Sequence, residues 1–274
     1  MPFKDILVHM DNGAACVARL ETAIGLALDH DAHLTGIYVI TPIEIPAYVE
    51  IHVPEDVLRQ QVRTHEEAAA RAEKQFREGA ENAGVSLEWR LVHGRMVESL
   101  SLHARYADVA VVGQRSPAED GPDMPDRFLL SVGRPVLVIP HSGTYPKIGE
   151  RIMVAWDSSR LASRAVGDAM ALLESAKKVD VMSIDPHGGH EGHDDVPGAD
   201  ICLHLARHGV PAKAQHAFSG DIDPADMLLS KVAEEAADLL VMGAYGHARW
   251  REIVLGGFTR HVLEHMSVPT LLSH

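Results

Sequence analysis

A glycine-rich segment near the end of the chain has the residue types of an anion-binding loop. Gly243 and Gly246 stand three residues apart, and Gly256 and Gly257 follow after a gap. Glycine lets a backbone approach a ligand closely, and the free N–H groups at the start of a helix favour an anion. Thr259 adds a hydroxyl. These residues predict either a phosphate-binding loop or a flexible loop whose glycines cap a helix.

The same segment is basic within an acidic chain. The 274 residues contain 25 Lys and Arg against 39 Asp and Glu, a formal net charge of −14. Within residues 243–261, however, Arg249, Arg251, Arg260 and two histidines face Glu252 alone. This local reversal of sign favours an anionic ligand, most simply phosphate. The acidic balance of the whole chain argues against a binder of duplex nucleic acid, which needs basic surface.

A second segment, residues 185–195, has the composition of a metal site. It contains four acidic residues and three histidines at three-residue spacing, which are His187, His190 and His193. Zinc uses such ligands, but the intervening glycines leave their orientation unfixed, so we favour a solvated loop. His204 and His208, four residues apart on a predicted helix, could share a metal or simply lie exposed. We predict no metal site.

The remaining candidates favour structural roles. Cys16, near the start of the first predicted helix, could carry a reactive thiolate, but a small packed side chain is the preferred interpretation. His9 lies in an apolar strand and is expected to be a hydrogen-bonded core histidine. Ser158 and Ser159 are expected to cap the next helix. Because no set of nucleophile, base and acid can be assembled, we predict no catalytic residue.

The elements that must position these residues form an internal repeat. Three stretches return in the same order: residues 5–11 as 151–157, 107–113 as 237–243, and 134–138 as 268–272. Matched anchors in one order indicate duplicated domains. Residues 141–147 are rich in turn formers and are typical of a linker. We place the two domains at residues 1–143 and 148–274.

Each half alternates short apolar runs with amphipathic stretches. In the second half we expect strands at 152–156, 179–184, 212–219, 239–242 and 270–273, and helices at 160–175, 200–207, 224–236 and 258–266. Alternating strands and helices predict a parallel sheet covered on both faces, so each half is a small doubly wound α/β domain. Ligands bind such sheets at the carboxyl ends of the strands, and the glycine-rich segment follows the fourth strand.

The spacing Gly243-x2-Gly246-x9-Gly256 resembles the nucleotide loop of the universal stress protein family. Asp157 at the end of a strand and Val268–Pro269 before the last strand resemble that family too. The resemblance covers essentially the whole chain, as a tandem two-domain member. It implies a five-stranded, mostly parallel sheet in each half and, in the ATP-binding branch of the family, a bound ATP or another adenine nucleotide, with or without Mg²⁺.

The resemblance also implies a role for each residue of a nucleotide site in the second half. Asp157 would contact the ribose, and Ser183 would lie beside the adenine. The phosphates would be held by Gly243, Tyr245, Gly246, Gly256, Gly257, Phe258 and Thr259. The flanking positions of the expected site are Ala155, Trp156, Met242 and His247. One departure is that the Ser or Thr usual after the third glycine of the loop is Gly257 here.

The first half departs further from the pattern. Its equivalent loop begins at Gly113, lacks the glycine spacing, and continues with acidic residues and prolines, which offer phosphate the wrong charge and fewer N–H donors. An aspartate, Asp11, is present at the position that matches Asp157. We therefore expect a structural half with a degenerate loop, paired with a binding half.

Taken together, these features predict a cytoplasmic nucleotide-binding protein of stress signalling. The chain has two cysteines, no signal-peptide pattern and no run of 18 apolar residues. The resemblance implies that the halves pair through their last strands, at 136–139 and 270–273, as an intramolecular pseudo-dimer; a homodimer is also possible. The alternatives are a slow ATPase or adenylate-handling enzyme and a ligand-free two-domain scaffold.

Overall fold

The structure is a computed structural model that describes residues 2–42, 55–115, 124–185, 197–245 and 257–274. Ten strands form a single sheet that runs through both halves of the chain. No helix within these ranges combines the length and the apolar composition that crossing a bilayer requires.

The first half supplies five strands and, within the described ranges, four helices. The strands are β1 (Asp5–His9), β2 (His33–Ile40), β3 (Leu87–His93), β4 (Val109–Gly113) and β5 (Val136–Ile139). The helices are α1 (Cys16–His30), α2 (Glu55–Ala83), α3 (Met96–Ala104) and α4 (Asp126–Val132).

The second half supplies five more strands and, where it is described, five helices. The strands are β6 (Arg151–Ala155), β7 (Lys178–Ile184), β8 (Ala212–Ala217), β9 (Leu239–Gly243) and β10 (Thr270–Ser273). The helices are α5 (Arg160–Asp168), α6 (Met170–Leu173), α7 (Ala199–Arg207), α8 (Pro224–Glu234) and α9 (Gly257–His265).

Each half has the strand order of a doubly wound domain. The order across the sheet is β3-β2-β1-β4-β5-β10-β9-β6-β7-β8, and neighbouring strands within each half pair in parallel. Because the order runs outward from the first strand in both directions, right-handed crossovers place helices on both faces. The predicted α/β architecture, with five strands in each half, is confirmed.

The two halves meet through their last strands. β5 and β10 pair antiparallel, with Leu137 opposite Leu271 and Val136 opposite Leu272. The side chains of both strands are buried. Each strand alone would present an unpaired apolar edge, so the pairing covers two edges at once and joins the halves into one sheet.

Alternate positions along the strands contribute to two apolar cores, one on each face of the sheet. Ile6 and Val8 belong to the first core, whereas Leu7 between them belongs to the second. Helices α1, α2, α5, α6 and α7 pack on the first face, and α3, α4, α8 and α9 pack on the second. This division follows from the two-residue period of a strand.

Three predicted elements of the second half differ in extent by more than one residue, and one of them, α8, ends at Glu234 rather than at residue 236. The helix predicted over residues 160–175 is divided into α5 and α6 at Ala169, where the backbone has φ −87° and ψ −2°. Gly167, two residues earlier, has weak helix propensity and favours an interruption here. Strand β8 ends at Ala217 rather than at residue 219, because the N–H of Ser219 donates to Oδ1 of Asp185 at 2.8 Å instead of continuing the ladder.

Two helices of the second half begin at side-chain caps. Ser159, an expected cap, precedes α5, and its Oγ accepts a hydrogen bond from the N–H of Ala162 at 3.1 Å. Asp223 precedes α8, and its Oδ1 accepts from the N–H of Ala225 at 2.7 Å. Both caps lie in the turn between a strand and the next helix, so they fix where the helix begins at the carboxyl edge of the sheet.

Candidate functional site

A cavity of about 550 Å³ lies at the carboxyl ends of β6, β7 and β9. This is the edge of the sheet at which α/β domains bind ligands. The lining residues come from those strand ends and from the starts of α5, α8 and α9: Ala155, Trp156, Asp157, Ser159, Leu161, Ala162, Met182, Ile184, Asp185, Pro224, Leu228, Met242, Gly243, Tyr245, Gly257, Phe258 and Thr259. The cavity brings together every described residue of the expected site except Ser183.

Ser183 lies on the other face of β7. Its side chain is buried near Gly198, whereas its neighbours Met182 and Ile184 line the cavity. Successive residues of a strand point to opposite faces, so only the even-numbered positions of this strand can reach the cavity with their side chains. A contact between Ser183 and a ligand would therefore have to use its backbone.

The inner wall of the cavity is apolar. Met182 and Ile184 from β7 face Leu228 from α8, and Trp156 lies at the end of β6. The N–H of Trp156 donates to the oxygen of Met182 at 2.8 Å, which continues the parallel ladder past the last residue of β6. An apolar wall of this kind suits a flat, uncharged group better than an ion.

Two carboxylates stand on the rim. Oδ1 of Asp157 accepts a hydrogen bond from the N–H of Ser159 at 3.0 Å, which holds the turn between β6 and α5. Asp185, at φ +45°, accepts from the N–H and the hydroxyl of Ser219. Among the described lining residues there is no Lys or Arg. The part of a ligand that lies beside these two carboxylates would therefore be neutral or a hydrogen-bond donor.

Gly243 is explained by packing within the protein. A Cβ at this position would lie 2.6 Å from the carbonyl carbon of Leu161 and 2.7 Å from the nitrogen of Ala162. Such distances leave no room for a side chain between the end of β9 and the first turn of α5. Glycine here lets the end of β9 lie close to α5, and this contact shapes the cavity wall.

The first turn of α9 opens onto the cavity. Thr259 is buried, and its Oγ1 accepts a hydrogen bond from the N–H of Tyr245 at 3.1 Å. Phe258 is exposed, and a Cβ on Gly257 would meet no atom of the described residues within 4 Å. The start of a nine-residue helix with free N–H groups and a hydroxyl is suited to an anion.

Several expected residues lie outside the described ranges. They are Gly246, His247 and Gly256 of the glycine-rich segment, with its Arg249, Arg251 and Glu252, and the three histidines of residues 185–195. Within the described ranges, no group of three or more His, Cys, Asp or Glu side chains could hold a metal ion. The rings of His204 and His208 lie 4.8 Å apart on α7.

Eight lining residues were missed by reasoning from the sequence: Ser159, Leu161, Ala162, Met182, Ile184, Asp185, Pro224 and Leu228. Two signals could have found some of them. Asp185 directly follows the second strand of its half, as Asp157 follows the first. Leu228 lies one turn into the helix that Asp223 caps, on the apolar stripe that must face the sheet. Both positions follow from the rule that sites collect at carboxyl strand ends.

The equivalent position of the first half is filled by its own side chains. Arg19 from α1 is buried, and its Nη2 lies 2.6 Å from Oδ2 of Asp11 while its Nε donates to the oxygen of His9 at 2.7 Å. Burial alone would raise the pKa of Asp11, but Arg19 lowers it below its ordinary value overall. The carboxylate that matches Asp157 is therefore already paired within the protein.

His9 differs from expectation in its hydrogen bonding. It is buried at 8% exposure, as predicted, but its Nε2 finds no partner in the described part of the chain. Burial, reinforced by Arg19, lowers the pKa of His9 to about 4, so the ring is neutral. Cys16 is buried too, and burial raises the pKa of its thiol, which favours the packed side chain over a reactive thiolate.

Comparison with known proteins identifies the family. The model of the Universal stress protein family matches residues 2–137 and 149–274, which is nearly the whole chain. No curated protein matches. The two matches coincide with the two five-stranded halves of the sheet.

Solved structures with the same fold also extend over both halves. A universal stress protein from Archaeoglobus fulgidus DSM 4304 is 17% identical, with 98% of this chain and 97% of that chain covered and a TM-score of 0.76. A functionally unknown protein from Pseudomonas aeruginosa PAO1 is 14% identical, with 99% and 92% covered and a TM-score of 0.58. At these identities the likeness shows the fold, and the family follows from the repeated match: the chain belongs to the universal stress protein family, with two domains in tandem.

Proposed function

We propose that the second half binds ATP or another adenine nucleotide, and that the protein acts in stress signalling through this ligand. The observation that carries the proposal is a cavity that begins at an apolar wall and ends at the start of α9. Sites for small ligands measure roughly 300–1,000 Å³. The cavity, at about 550 Å³, lies in this range.

The two ends of the cavity match the two ends of a nucleotide. The wall formed by Met182, Ile184 and Leu228 suits a purine base, and the rim carboxylate of Asp157 suits the hydroxyls of a ribose. Hydroxyl groups donate well to an ionised carboxylate, which can only accept hydrogen bonds. This assignment places the base against β7 and α8 and leaves the phosphates to the start of α9.

The start of α9 supports the position of the phosphates. Gly257 and Thr259 place N–H groups and a hydroxyl at the positive end of the helix dipole. The Thr259 oxygen already accepts from Tyr245, so its hydroxyl hydrogen is available to donate to a phosphate oxygen. We expect Gly246, His247 and Gly256 to contribute on the same side, and Mg²⁺ to accompany ATP when it binds.

We further propose one nucleotide per chain. In the first half, Arg19 occupies the space beside Gly113 and pairs with Asp11, so the group that would meet a ribose is used internally. Domains at residues 1–143 and 148–274 then have different tasks, one structural and one binding. We place the protein in the cytoplasm, where a reducing environment suits its two free cysteines.

The proposal is tested by identifying what the protein carries. Purified protein is denatured, the released small molecules are identified by mass spectrometry, and ATP, ADP, AMP and adenosine are titrated by calorimetry. We expect an adenine nucleotide with a stoichiometry near one. Two nucleotides per chain would place a site in the first half. The absence of binding by all four compounds would favour the ligand-free scaffold, and steady phosphate release from ATP would favour the slow ATPase.

A further inference from the structure

The loop that lines the cavity is tied to the other half of the chain. The phenol of Tyr245, two residues after β9, donates a hydrogen bond to Oδ1 of Asp126, the first residue of α4. Tyr245 lines the cavity of the second half, whereas α4 belongs to the first half. The cavity therefore has a support that its own domain does not supply.

Tyr245 adopts a conformation that needs support. Its φ of +62° lies in the left-handed region, which residues other than glycine adopt at a cost and keep only where neighbours impose it. Three contacts impose it here: the N–H donates to Thr259 at 3.1 Å, the ring meets the edge of His274 with centroids 6.4 Å apart, and the phenol is held by Asp126. Of these contacts, only the one with Asp126 comes from the first half.

The electrostatics of this contact are consistent with a fixed donor. Burial, together with the hydrogen bond to Asp126, raises the pKa of Tyr245 above its ordinary value, so the phenol keeps its proton. Asp126 lies in the first turn of α4, where the helix dipole favours a carboxylate. Hydrogen bonds to an ionised acceptor are stronger than neutral ones.

The other end of α9 is also held by the first half. The side-chain amide of Gln114 donates to the oxygen of Leu263 at 2.8 Å and to that of Glu264 at 3.1 Å, in the last turn of the helix. Its Oε1 accepts from the N–H of His141 at 3.0 Å. Gln114 directly follows β4, at the start of the loop that has lost the glycine spacing. That loop thus supports the helix of the neighbouring half.

We propose that Asp126 is a positioning residue for the nucleotide site of the second half, acting through Tyr245 on the first turn of α9. This inference rests on the proposed function, because it assigns the phosphate end of that site a support from the other domain. Through Asp126, the first half would take part in nucleotide binding although its own loop is degenerate. The position of α4 would then affect how well the cavity holds its ligand.

The test measures the affinity for ATP by calorimetry in four proteins: wild type, Asp126→Ala, Tyr245→Phe and the double variant. We expect each single variant to bind about tenfold more weakly, since coupling through one packed contact is typically worth a few-fold to about thirtyfold. The double variant should bind no more weakly than either single variant, because one hydrogen bond is lost in all three. Asp126→Asn keeps an acceptor oxygen and should restore most of the affinity.

A matched control separates this role from a general effect on stability. Glu98, also an acid in the first turn of a first-half helix, is exposed and pairs with Arg95 at 3.7 Å, so Glu98→Gln should bind ATP as wild type does. If wild type binds ATP and Asp126→Ala and Tyr245→Phe bind it equally well, the positioning role is wrong while the site stands. If the two single losses simply add in the double variant, the two residues act separately and the inference fails. If wild type binds no adenine nucleotide, the proposed function fails first.

Discussion

Arg19 and Asp11 form an ion pair in the first half, with the buried Nη2 of Arg19 2.6 Å from Oδ2 of the partly exposed Asp11. Across the repeat, Asp11 matches Asp157, which lines the cavity, and Arg19 matches Ala165, which is an apolar core residue. A single arginine thus engages the carboxylate of the first half in an ion pair within the protein. The two halves have the same fold, but the second has no arginine at the position that matches Arg19.

This difference gives opposite expectations for two matched substitutions. Asp157→Ala should weaken the binding of ATP by about tenfold or more, because a hydrogen bond to an ionised group is worth about 1.5–3 kcal/mol. Its effect on the free energy of unfolding should be small, since the side chain is exposed. Calorimetry with ATP and urea denaturation without ligand measure the two effects separately.

Asp11→Ala should behave in the reverse way. It leaves the buried Arg19 guanidinium without its carboxylate, and because Asp11 is partly exposed, the loss should be about 1–3 kcal/mol of unfolding free energy rather than that of a fully buried pair. The affinity for ATP should stay within about twofold of wild type, because coupling to a site in the other half should cost well under 1 kcal/mol. Weaker ATP binding in Asp11→Ala than in Asp157→Ala would place the nucleotide in the first half instead.

The contrast between the halves shows what the sequence could predict. The alternation of strands and helices predicted a parallel α/β sheet, and the position after β9, together with the family resemblance, pointed to Tyr245, Gly257 and Thr259, which line the cavity. The internal role of Arg19 was not predictable, because an arginine in an amphipathic helix is normally exposed and its partner is eight residues away. Spacing along the chain does not reveal which carboxylates are already paired.

The sequence is equally uninformative about the direction in which a side chain points and about contacts between residues far apart in the chain. Ser183 was assigned from its position late in a strand, but the pleat turns its side chain away from the cavity, and a shift of one residue changes the face. The bond between Tyr245 and Asp126 joins residues 119 positions apart, so it depends on how β5 and β10 bring the halves together. The periodicity of a single element contains no information on that arrangement.

Gly257 offers a substitution that should strengthen binding. The family pattern has Ser or Thr at this position, and a Cβ here would meet no atom within 4 Å in the part of the chain that the structure describes. Gly257→Ser should therefore raise the affinity for ATP by about threefold to tenfold, since one more hydroxyl at a helix N-terminus can donate to a phosphate, and net hydrogen bonds are worth about 0.5–1.5 kcal/mol. The affinity for adenosine, which has no phosphate, should not change.

The control for Gly257→Ser is Gly167→Ser, which also has open space around its Cβ but lies in α5. Calorimetry with ATP and adenosine should leave that variant at wild-type affinity. An equal gain for ATP and adenosine in Gly257→Ser would indicate that the serine acts on the base or the ribose, and the phosphates would then have to lie elsewhere.

Gly243 should be far less tolerant. A methyl group there would press on the backbone of Leu161 and Ala162, so Gly243→Ala should lower the unfolding free energy by about 1–3 kcal/mol, as overpacking does. Because these backbone atoms form the cavity wall, the affinity for ATP should fall as well. Thermal unfolding of Gly243→Ala beside Gly257→Ala checks the assignment, and equal melting temperatures for the two would contradict it.

His9 predicts a pH dependence of stability. Burial, with Arg19 adding to it, lowers the pKa of His9 from 6.5 to about 4 in the folded protein. Between these values the unfolded chain binds more protons than the folded one, so the free energy of unfolding falls as the pH falls from 6.5 towards 4. A pKa shift of this size corresponds to a loss of about 3 kcal/mol of unfolding free energy between pH 6.5 and pH 4.

The substitution that checks this dependence is His9→Ala, which places at residue 9 the side chain that the second half has at Ala155. Urea denaturation at pH 7 and pH 4.5 should show a smaller difference in unfolding free energy than in wild type. Staying at or above pH 4.5 avoids the loss due to Asp11, whose lowered pKa makes its contribution disappear only at more acidic pH. His208→Ala, at an exposed position, should keep the wild-type difference. An unchanged difference in His9→Ala would mean that His9 is not neutral in the fold.

The junction of β5 and β10 predicts how the separated halves behave. Each strand has four buried residues, and separation would expose an unpaired apolar edge on each fragment. Fragments 1–143 and 148–274 should therefore be less soluble alone than together, and mixing should restore a one-to-one complex in analytical ultracentrifugation.

Leu137→Lys in the first fragment should abolish the complex, because it places a charge opposite Leu271. Leu91→Lys, on the half-exposed outer strand β3, should leave it intact. Two soluble monomeric fragments with no affinity for each other would show that the halves do not depend on this pairing.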